Sequence, residues 1–222
     1  MFVPFIEEGI IEQFEGYDKL KEFPWEAYEK KYENIQRLDR ILESEGDTAH
    51  NYKASKQADV LMLFYLFSRT EIMDIFQKLG YDFSEELIWK NIQYYKKRTT
   101  HGSTLSRLVF SWILLKYDKQ KSWQNFEEVL VSDFEDIQGG TTPEGIHLGA
   151  MAGSLDLIQR CYSGLEVGED ALWICPDLPD DIKKINMRVH YRRHWISISI
   201  DHHKIIISFE EGWSNLVNRE NN

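Results

Sequence analysis

The stretch "LSRLVFSWILLKYDKQKSWQNFEEVLVSDFEDIQ" (residues 105–138) sets two kinds of helix side by side. In 105–117 apolar residues fall on nearly every side of a helical wheel, the pattern of a helix buried all round. After the polar break, 122–138 is amphipathic, with one face for a core and one for water. The same contrast recurs along the chain. Residues 55–68, "SKQADVLMLFYLFS", are apolar on almost every side after Ala58, whereas 85–98, "EELIWKNIQYYKKR", line up Leu87, Ile88, Ile92 and Tyr95 on one face. Residues 143–162, "PEGIHLGAMAGSLDLIQRCY", are again apolar and rich in small residues. Buried, exposed, buried, exposed, buried predicts an inner and an outer layer of helices, as in an α/α barrel. An ordinary bundle would carry a similar stripe on every helix.

Local signals set the boundaries. Residues 25–44 read as one charged, weakly amphipathic helix, ended by "EGDTAHNY" (45–52). A short helix over 70–79 takes Thr70 as its N-cap and stops at Leu79-Gly80. It adds a reversal to the alternation and is read as an insert on a connection. Ser84 caps the next helix, whose acidic start and basic end suit the helix dipole. After Gly164 the period falls from 3.6 to 2: Ile185, Met187, Val189 and Tyr191 alternate with polar residues, then Ile196, Ile198 and Ile200, then "HKIIISFEE". The expected organisation is a helical unit over 1–165 and a small antiparallel β unit over 170–222, with "CPDLPDD" (175–181) as its linker.

Composition limits the partners. A formal net charge of −11 argues against the nucleic-acid backbone. The start, "MFVPFIEEG", lacks the basic and apolar regions of a signal peptide, and no run reaches the ~20 apolar residues of a membrane span. A soluble, cytoplasmic protein is expected. Cys161 and Cys175 lie too far apart for metal-ligand spacing and read as free thiols.

Three polar loops precede the three inner helices: "NYKASKQAD" (51–59), "RTTHGSTLS" (98–106) and "QGGTTPEGIH" (138–147). If inner and outer helices alternate in direction, all three loops meet at one mouth. In the second, Thr99, Thr100, Ser103 and Thr104 bring hydroxyls, with His101 and Gly102, to a helix start, where bare N–H groups and the positive dipole end attract anions. In the third, Gly139 and Gly140 permit unusual backbone angles, Thr142 can cap, Pro143 fits the first helical position, and His147 falls one turn in. Lys56 and Gln57 supply a cation and an amide suited to sugar hydroxyls. Each residue also has a purely structural reading: Ser and Thr as caps, His147 as a packing residue, Glu144 as a first-turn acid favoured by the dipole or as a base. Gly145, Gly149 and Gly153, four apart, read as a groove for close helix packing; Met151 reads as core, and His202 and His203 as surface residues of a strand turn.

At these loops the chain resembles glycoside hydrolase family 65, which holds trehalose, maltose and kojibiose phosphorylases and some hydrolases. "SKQADVLMLF", "RTTHGSTLSR" and "GGTTPEGIHLGAMAGSLDLIQRCYSGLE" carry the resemblance, which runs from about Gly16 into the strands. It implies a barrel of six helical hairpins followed by a small β-domain, of which this chain supplies three inner helices and their outer partners. The implied chemistry is inverting phosphorolysis: phosphate attacks the anomeric carbon of an α-linked glucose disaccharide while a carboxylic acid protonates the departing sugar, leaving room between the two. By motif, Lys56 and Gln57 bind the glucosyl unit, and Ser103, Thr104 and His147 hold phosphate, the co-substrate; no cofactor or metal is implied. The family's general acid is a glutamate from an earlier segment, and nothing here matches it; Glu7, Glu8 and Glu12 carry no signal for that role. The resemblance therefore implies half a catalytic barrel, inactive alone, paired with an N-terminal half or self-associated. A binding module without catalysis and a hydrolase using Glu144 are the alternatives.

Overall fold

A computed structural model describes residues 2–6, 9–137, 143, 145–168 and 170–209. The chain divides into two compact units, 1–154 and 155–222. It is mainly α, a partial α/α barrel, with a small antiparallel β region near its C-terminal end.

The first unit opens with a two-stranded hairpin, β1 (Phe5–Ile6) and β2 (Ile10–Ile11). Helices follow in order: α1 (Trp25–Lys31), α2 (Leu38–Ser44), α3 (Val60–Leu66), α4 (Arg69–Lys78), α5 (Glu85–Lys96), α6 (Thr104–Leu114), α7 (Lys119–Val131) and α8 (Leu148–Asp156), whose last turn crosses the division. The main core joins Val60, Leu61 and Phe64 of α3, Ile72 and Phe76 of α4, Ile88, Ile92 and Tyr95 of α5, and Val109, Phe110, Ile113 and Leu114 of α6. On α6 even Ser106 and Ser111 are fully buried, as its apolar wheel requires of an inner helix. The outer α7 buries Ser122, Asn125, Phe126 and Val129 at three- and four-residue steps, and Ser122 Oγ donates to the Ser111 carbonyl at 2.6 Å, closing the α6–α7 hairpin. α5 holds the N-terminal hairpin: buried Asn91 accepts from the Ile11 amide at 2.8 Å and donates to the Gly9 carbonyl at 2.9 Å.

Two inner helices run parallel. A Cβ on Gly153 would lie 1.8 Å from Leu108 Cδ1, and one on Gly149 would lie 3.5 Å from Leu105 Cδ2. Advancing four residues along α8 thus advances three along α6 in the same sense, and both helices start at one end. Gly153 is the packing glycine; Gly149 makes an ordinary contact. Gly145 does not pack: it meets nothing within 4 Å and has φ +126°, a conformation that favours glycine.

That angle also shortens the helix. Gly145, Ile146 and His147 are not helical; α8 begins at Leu148, and His147 sits immediately before it rather than one turn in. Other boundaries differ too. Residues 25–44 are two helices, because Tyr32 leaves α1 in an extended conformation and Tyr28, Lys31 and Tyr32 all turn their polar ends onto Glu45 past the end of α2. The inner α3 has only seven residues and is not buried all round: Leu66 and Phe67 are exposed. The chain must leave α3 there because Ser68, not Thr70, caps α4, in a reciprocal capping box with Glu71. Leu79-Gly80 and Ser84 act as expected.

In the second unit Leu157–Tyr162 form a π-helical turn, followed by the hairpin β3 (Leu165–Val167) and β4 (Leu172–Ile174). The strands β5 (Lys184–Tyr191), β6 (His194–Asp201) and β7 (Ile205–Phe209) make an antiparallel meander. Ile185, Ile196, Ile198 and Ile200 are buried, matching the period of 2. Asp201 Oδ1 closes the exposed His202-His203 turn by accepting from the His203 and Lys204 amides. Among the described residues neither cysteine forms a disulfide, and no helix is long and apolar enough to cross a membrane.

Candidate functional site

The first two polar loops are stitched into one surface. Ser55 and Thr99 form a parallel bridge: the Ser55 amide donates to the Arg98 carbonyl at 3.0 Å, and the Thr100 amide to the Ser55 carbonyl at 2.9 Å. Beneath it, Thr100 Oγ1 lies 3.3 Å from the carbonyls of Gln36 and Ser55. Gly102 is required by proximity, since a Cβ there would meet the Gln36 carbonyl oxygen at 2.2 Å. The helices that follow, α3 and α6, therefore start at the same end, as the two-layer reading requires, with α4 and α5 both lying on the connection between them.

Four of the residues singled out in the sequence meet on this surface. Ser103 occupies the cap position of α6 but makes no side-chain cap; its hydroxyl donates to Gln57 Oε1 at 3.4 Å. The next residue, Thr104, is buried as the first residue of the helix. Lys56 runs past Gly102, its Cγ 3.0 Å from where a Cβ would stand, and its Nζ lies 2.7 Å from Asp39 Oδ2. Burial alone would raise the Asp39 carboxyl; the bond from Lys56 more than offsets it, and the pKa lies below the ordinary value. The Lys56 side chain as a whole keeps 44% of its exposure.

The other groups of the second loop are committed to the fold. Thr99 Oγ donates to the Tyr95 carbonyl, which finishes α5. His101 adopts φ +55°, sets its ring edge-on to Phe110 at 4.8 Å, and pairs Nδ1 with Ser106 Oγ at 3.0 Å. Burial, and then the Arg107 cation, push its pKa down to about 3, so the ring is neutral at pH 7. The expected supply of hydroxyls from Thr99 and Thr100 and of a free imidazole from His101 is thus corrected: these three build the loop.

In the third loop Gly139, Gly140, Thr141, Thr142 and Glu144 lie outside the described residues, as do Glu7 and Glu8. His147 is described, and it is held by a residue the sequence did not single out. Asp133 accepts the His147 amide N–H on Oδ2 at 2.8 Å and pairs Oδ1 with ring Nδ1. Burial works against ionisation of Asp133, but the His147 ring and amide together lower its pKa. No spacing motif links an aspartate to a histidine fourteen residues later, so nothing in the sequence marked the pair. Leu105 of α6 lies beside Gly149 of α8, two residues after Ser103 and His147 respectively. Glu12 is used structurally: its carboxylate accepts from the Gly16 and Asp18 amides.

One end of the inner helices thus carries a cation, an amide, a hydroxyl at a helix start and an imidazole on a carboxylate. Such a set can hold a polyhydroxylated ligand and an oxyanion side by side. A cavity of about 180 Å³, walled by Phe64, Phe67, Trp112, Ile113 and Tyr117, lies toward the opposite ends of α3 and α6, away from these groups.

Two sequence models match the chain: the glycosyl hydrolase family 65 central catalytic domain over residues 1–156, and the glycosyl hydrolase family 65 C-terminal domain over 165–217. Among similar proteins, an uncharacterized glycosyl hydrolase of Mycobacterium tuberculosis is 50% identical over 212 residues, 96% of this chain and 16% of that one. The trehalose 6-phosphate phosphorylase of Lactococcus lactis is 36% identical over 209 residues, 94% of this chain and 27% of that protein. A solved structure, of a putative kojibiose phosphorylase from the human microbiome, superposes with a TM-score of 0.68 at 22% identity, covering 95% of this chain and 29% of that one. The chain therefore spans less than a third of the length of each of these relatives.

Proposed function

The chain belongs to glycosyl hydrolase family 65, and from that membership we propose that it supplies the sugar- and phosphate-binding loops of an inverting α-glucoside phosphorylase. Lys56 and Gln57 hold the glucosyl unit. Ser103, Thr104 and His147 hold inorganic phosphate, which attacks the anomeric carbon and yields glucose 1-phosphate. What supports this reading is that Gly149 and Gly153 of α8 face Leu105 and Leu108 of α6, with His147 and Ser103 each just before its helix and Ser103 bonded to Gln57. A hydrolase needs a carboxylate to activate water, whereas a cation-bearing or hydrogen-donating set suits a phosphate nucleophile that arrives already charged.

Catalysis further requires an acid to protonate the departing sugar, and Glu12, whose carboxylate is tied to backbone amides, is not placed to give it. The chain alone is accordingly inactive and works with a complementary barrel half. In line with that partner, Ile146 and Leu148 before and at the start of α8 are 66% and 71% exposed, beside the 41%-exposed Leu105 of α6; this is the edge where a further inner helix would pack.

The test is phosphate and sugar binding without turnover. Inorganic phosphate and glucose 1-phosphate are titrated into the 222-residue protein by calorimetry, and trehalose, kojibiose and trehalose 6-phosphate are incubated with it in phosphate buffer. Saturable phosphate binding that His147→Gln and Ser103→Ala each weaken, with no glucose 1-phosphate released, is the expected result. Release of glucose 1-phosphate would overturn the half-barrel reading. Release of free glucose without glucose 1-phosphate, lost in Glu144→Gln, would establish a hydrolase instead. Size-exclusion chromatography that finds a monomer unable to take up an N-terminal barrel half would leave a sugar- or phosphate-binding module.

A further inference from the structure

The grip on His147 goes further than holding a loop. Both oxygens of Asp133 meet His147, one through the backbone amide and one through ring Nδ1, so backbone and ring are fixed together. The Asp133 side chain is only 10% exposed, while His147 keeps 33%. The carboxylate is thus on the protein side of the ring and the remaining nitrogen, Nε2, is the one left for solvent or ligand. An ionised carboxylate accepts only, so the nitrogen facing it must carry hydrogen in the neutral and in the charged ring alike.

We propose that Asp133 is a positioning residue which holds His147 with Nδ1–H toward the protein and Nε2 toward the mouth of the loops. The inference rests on the reading of His147 as a phosphate-binding residue. With Nδ1 committed, the charged ring donates Nε2–H to a phosphate oxygen, and Asp133 supports the positive charge it carries. The neutral ring instead offers a lone pair at Nε2, which accepts the hydrogen of a monohydrogen or dihydrogen phosphate. In either state one nitrogen does the binding, and the opposite tautomer is excluded. A carboxylate behind an imidazole commonly sets tautomer and ring orientation in this way.

Asparagine at position 133 keeps the size but replaces one of the two accepting oxygens with an NH2 donor, so it cannot accept from the amide and the ring at both positions. The experiment is nitrogen–proton correlation NMR of the histidine rings in the 222-residue protein above pH 8, with the His147 signals identified by their loss in His147→Gln. The expected spectrum shows His147 as the Nδ1–H tautomer in the native protein and a shift toward Nε2–H in Asp133→Asn. Inorganic phosphate titrated into both should bind roughly tenfold more weakly to the variant, the loss of one charge-supported hydrogen bond. An Nε2–H tautomer in the native protein overturns the proposal, and that spectrum does not depend on whether the variant folds. An unchanged tautomer in a folded Asp133→Asn protein overturns it equally. The predicted tautomer together with no phosphate binding by the native protein would leave Asp133 as the positioning residue and overturn the phosphate reading instead.

Discussion

The Thr100 amide donates to the Ser55 carbonyl at 2.9 Å, across 45 residues of sequence. That bond, with its partner from Ser55 to Arg98, turns two separate loops into one surface and so sets Lys56 and Gln57 beside Ser103. Several consequences of this arrangement can be measured.

Gly102→Ala should disturb this surface directly. Its Cβ would press on a backbone oxygen of Gln36, which cannot swing aside as a side-chain tip can. A loss of about 1–3 kcal/mol is expected, read as a lower urea midpoint at unchanged slope, together with weaker phosphate binding. An alanine variant as stable as the native protein would show that the loops are not closely joined.

His101 makes stability depend on pH. Its folded pKa, near 3, lies below the ordinary value of 6.5, so between these limits the unfolded chain binds the proton and the folded chain does not. Stability is therefore fully present above about pH 6.5 and lost as pH falls toward 3. Urea midpoints measured from pH 7 to 4 should decline, and less steeply in His101→Asn, which tolerates the left-handed backbone angle without titrating. Equal slopes in the two proteins would assign the decline to other groups.

Gly153 and Leu108 should be energetically coupled. Gly153→Ala alone forces Leu108 out of its place, and Leu108→Ala alone leaves a cavity. Together the added methyl occupies part of the space the leucine vacated. The double variant should be more stable than the sum of the single losses by roughly 1 kcal/mol or more. A purely additive cycle would place α8 away from α6.

Asn91 ties α5 to the N-terminal hairpin through two hydrogen bonds, to Ile11 and Gly9, and bonds the Leu87 carbonyl of its own helix; the Tyr95 hydroxyl adds a further tie by donating to the Ile11 carbonyl. Asn91→Ala strands those backbone groups in the core and should cost about 2 kcal/mol or more. Hydrogen exchange at the Ile11 amide should speed up at the same time. Unchanged exchange would mean the hairpin is held by the Tyr95 hydroxyl and its apolar contacts.

Much of the fold was legible because it depends on periods. Complete apolar wheels marked α6 as inner, a single stripe marked α5 as outer, and alternation marked β5 and β6. The capping of α4 is also written locally, as Ser68-Arg69-Thr70-Glu71, where the capping box joins Ser68, not the expected Thr70, to Glu71. The break between α1 and α2 had no such mark, since it depends on three polar groups converging on Glu45 from outside their own helix.

For the site, the sequence by itself determined the residue types: a Lys-Gln pair, a hydroxyl before an apolar helix, and a histidine in a glycine-rich start, in the order of one enzyme family. Those follow from composition and spacing, which are properties of the chain. Only the tertiary structure decided which of them stand together. Thr99, Thr100 and His101 satisfy buried partners, Ser103 turns to Gln57, and Asp133 takes hold of His147. Such choices depend on groups brought close by packing, where an unpaired polar atom is costly, and no linear spacing records them.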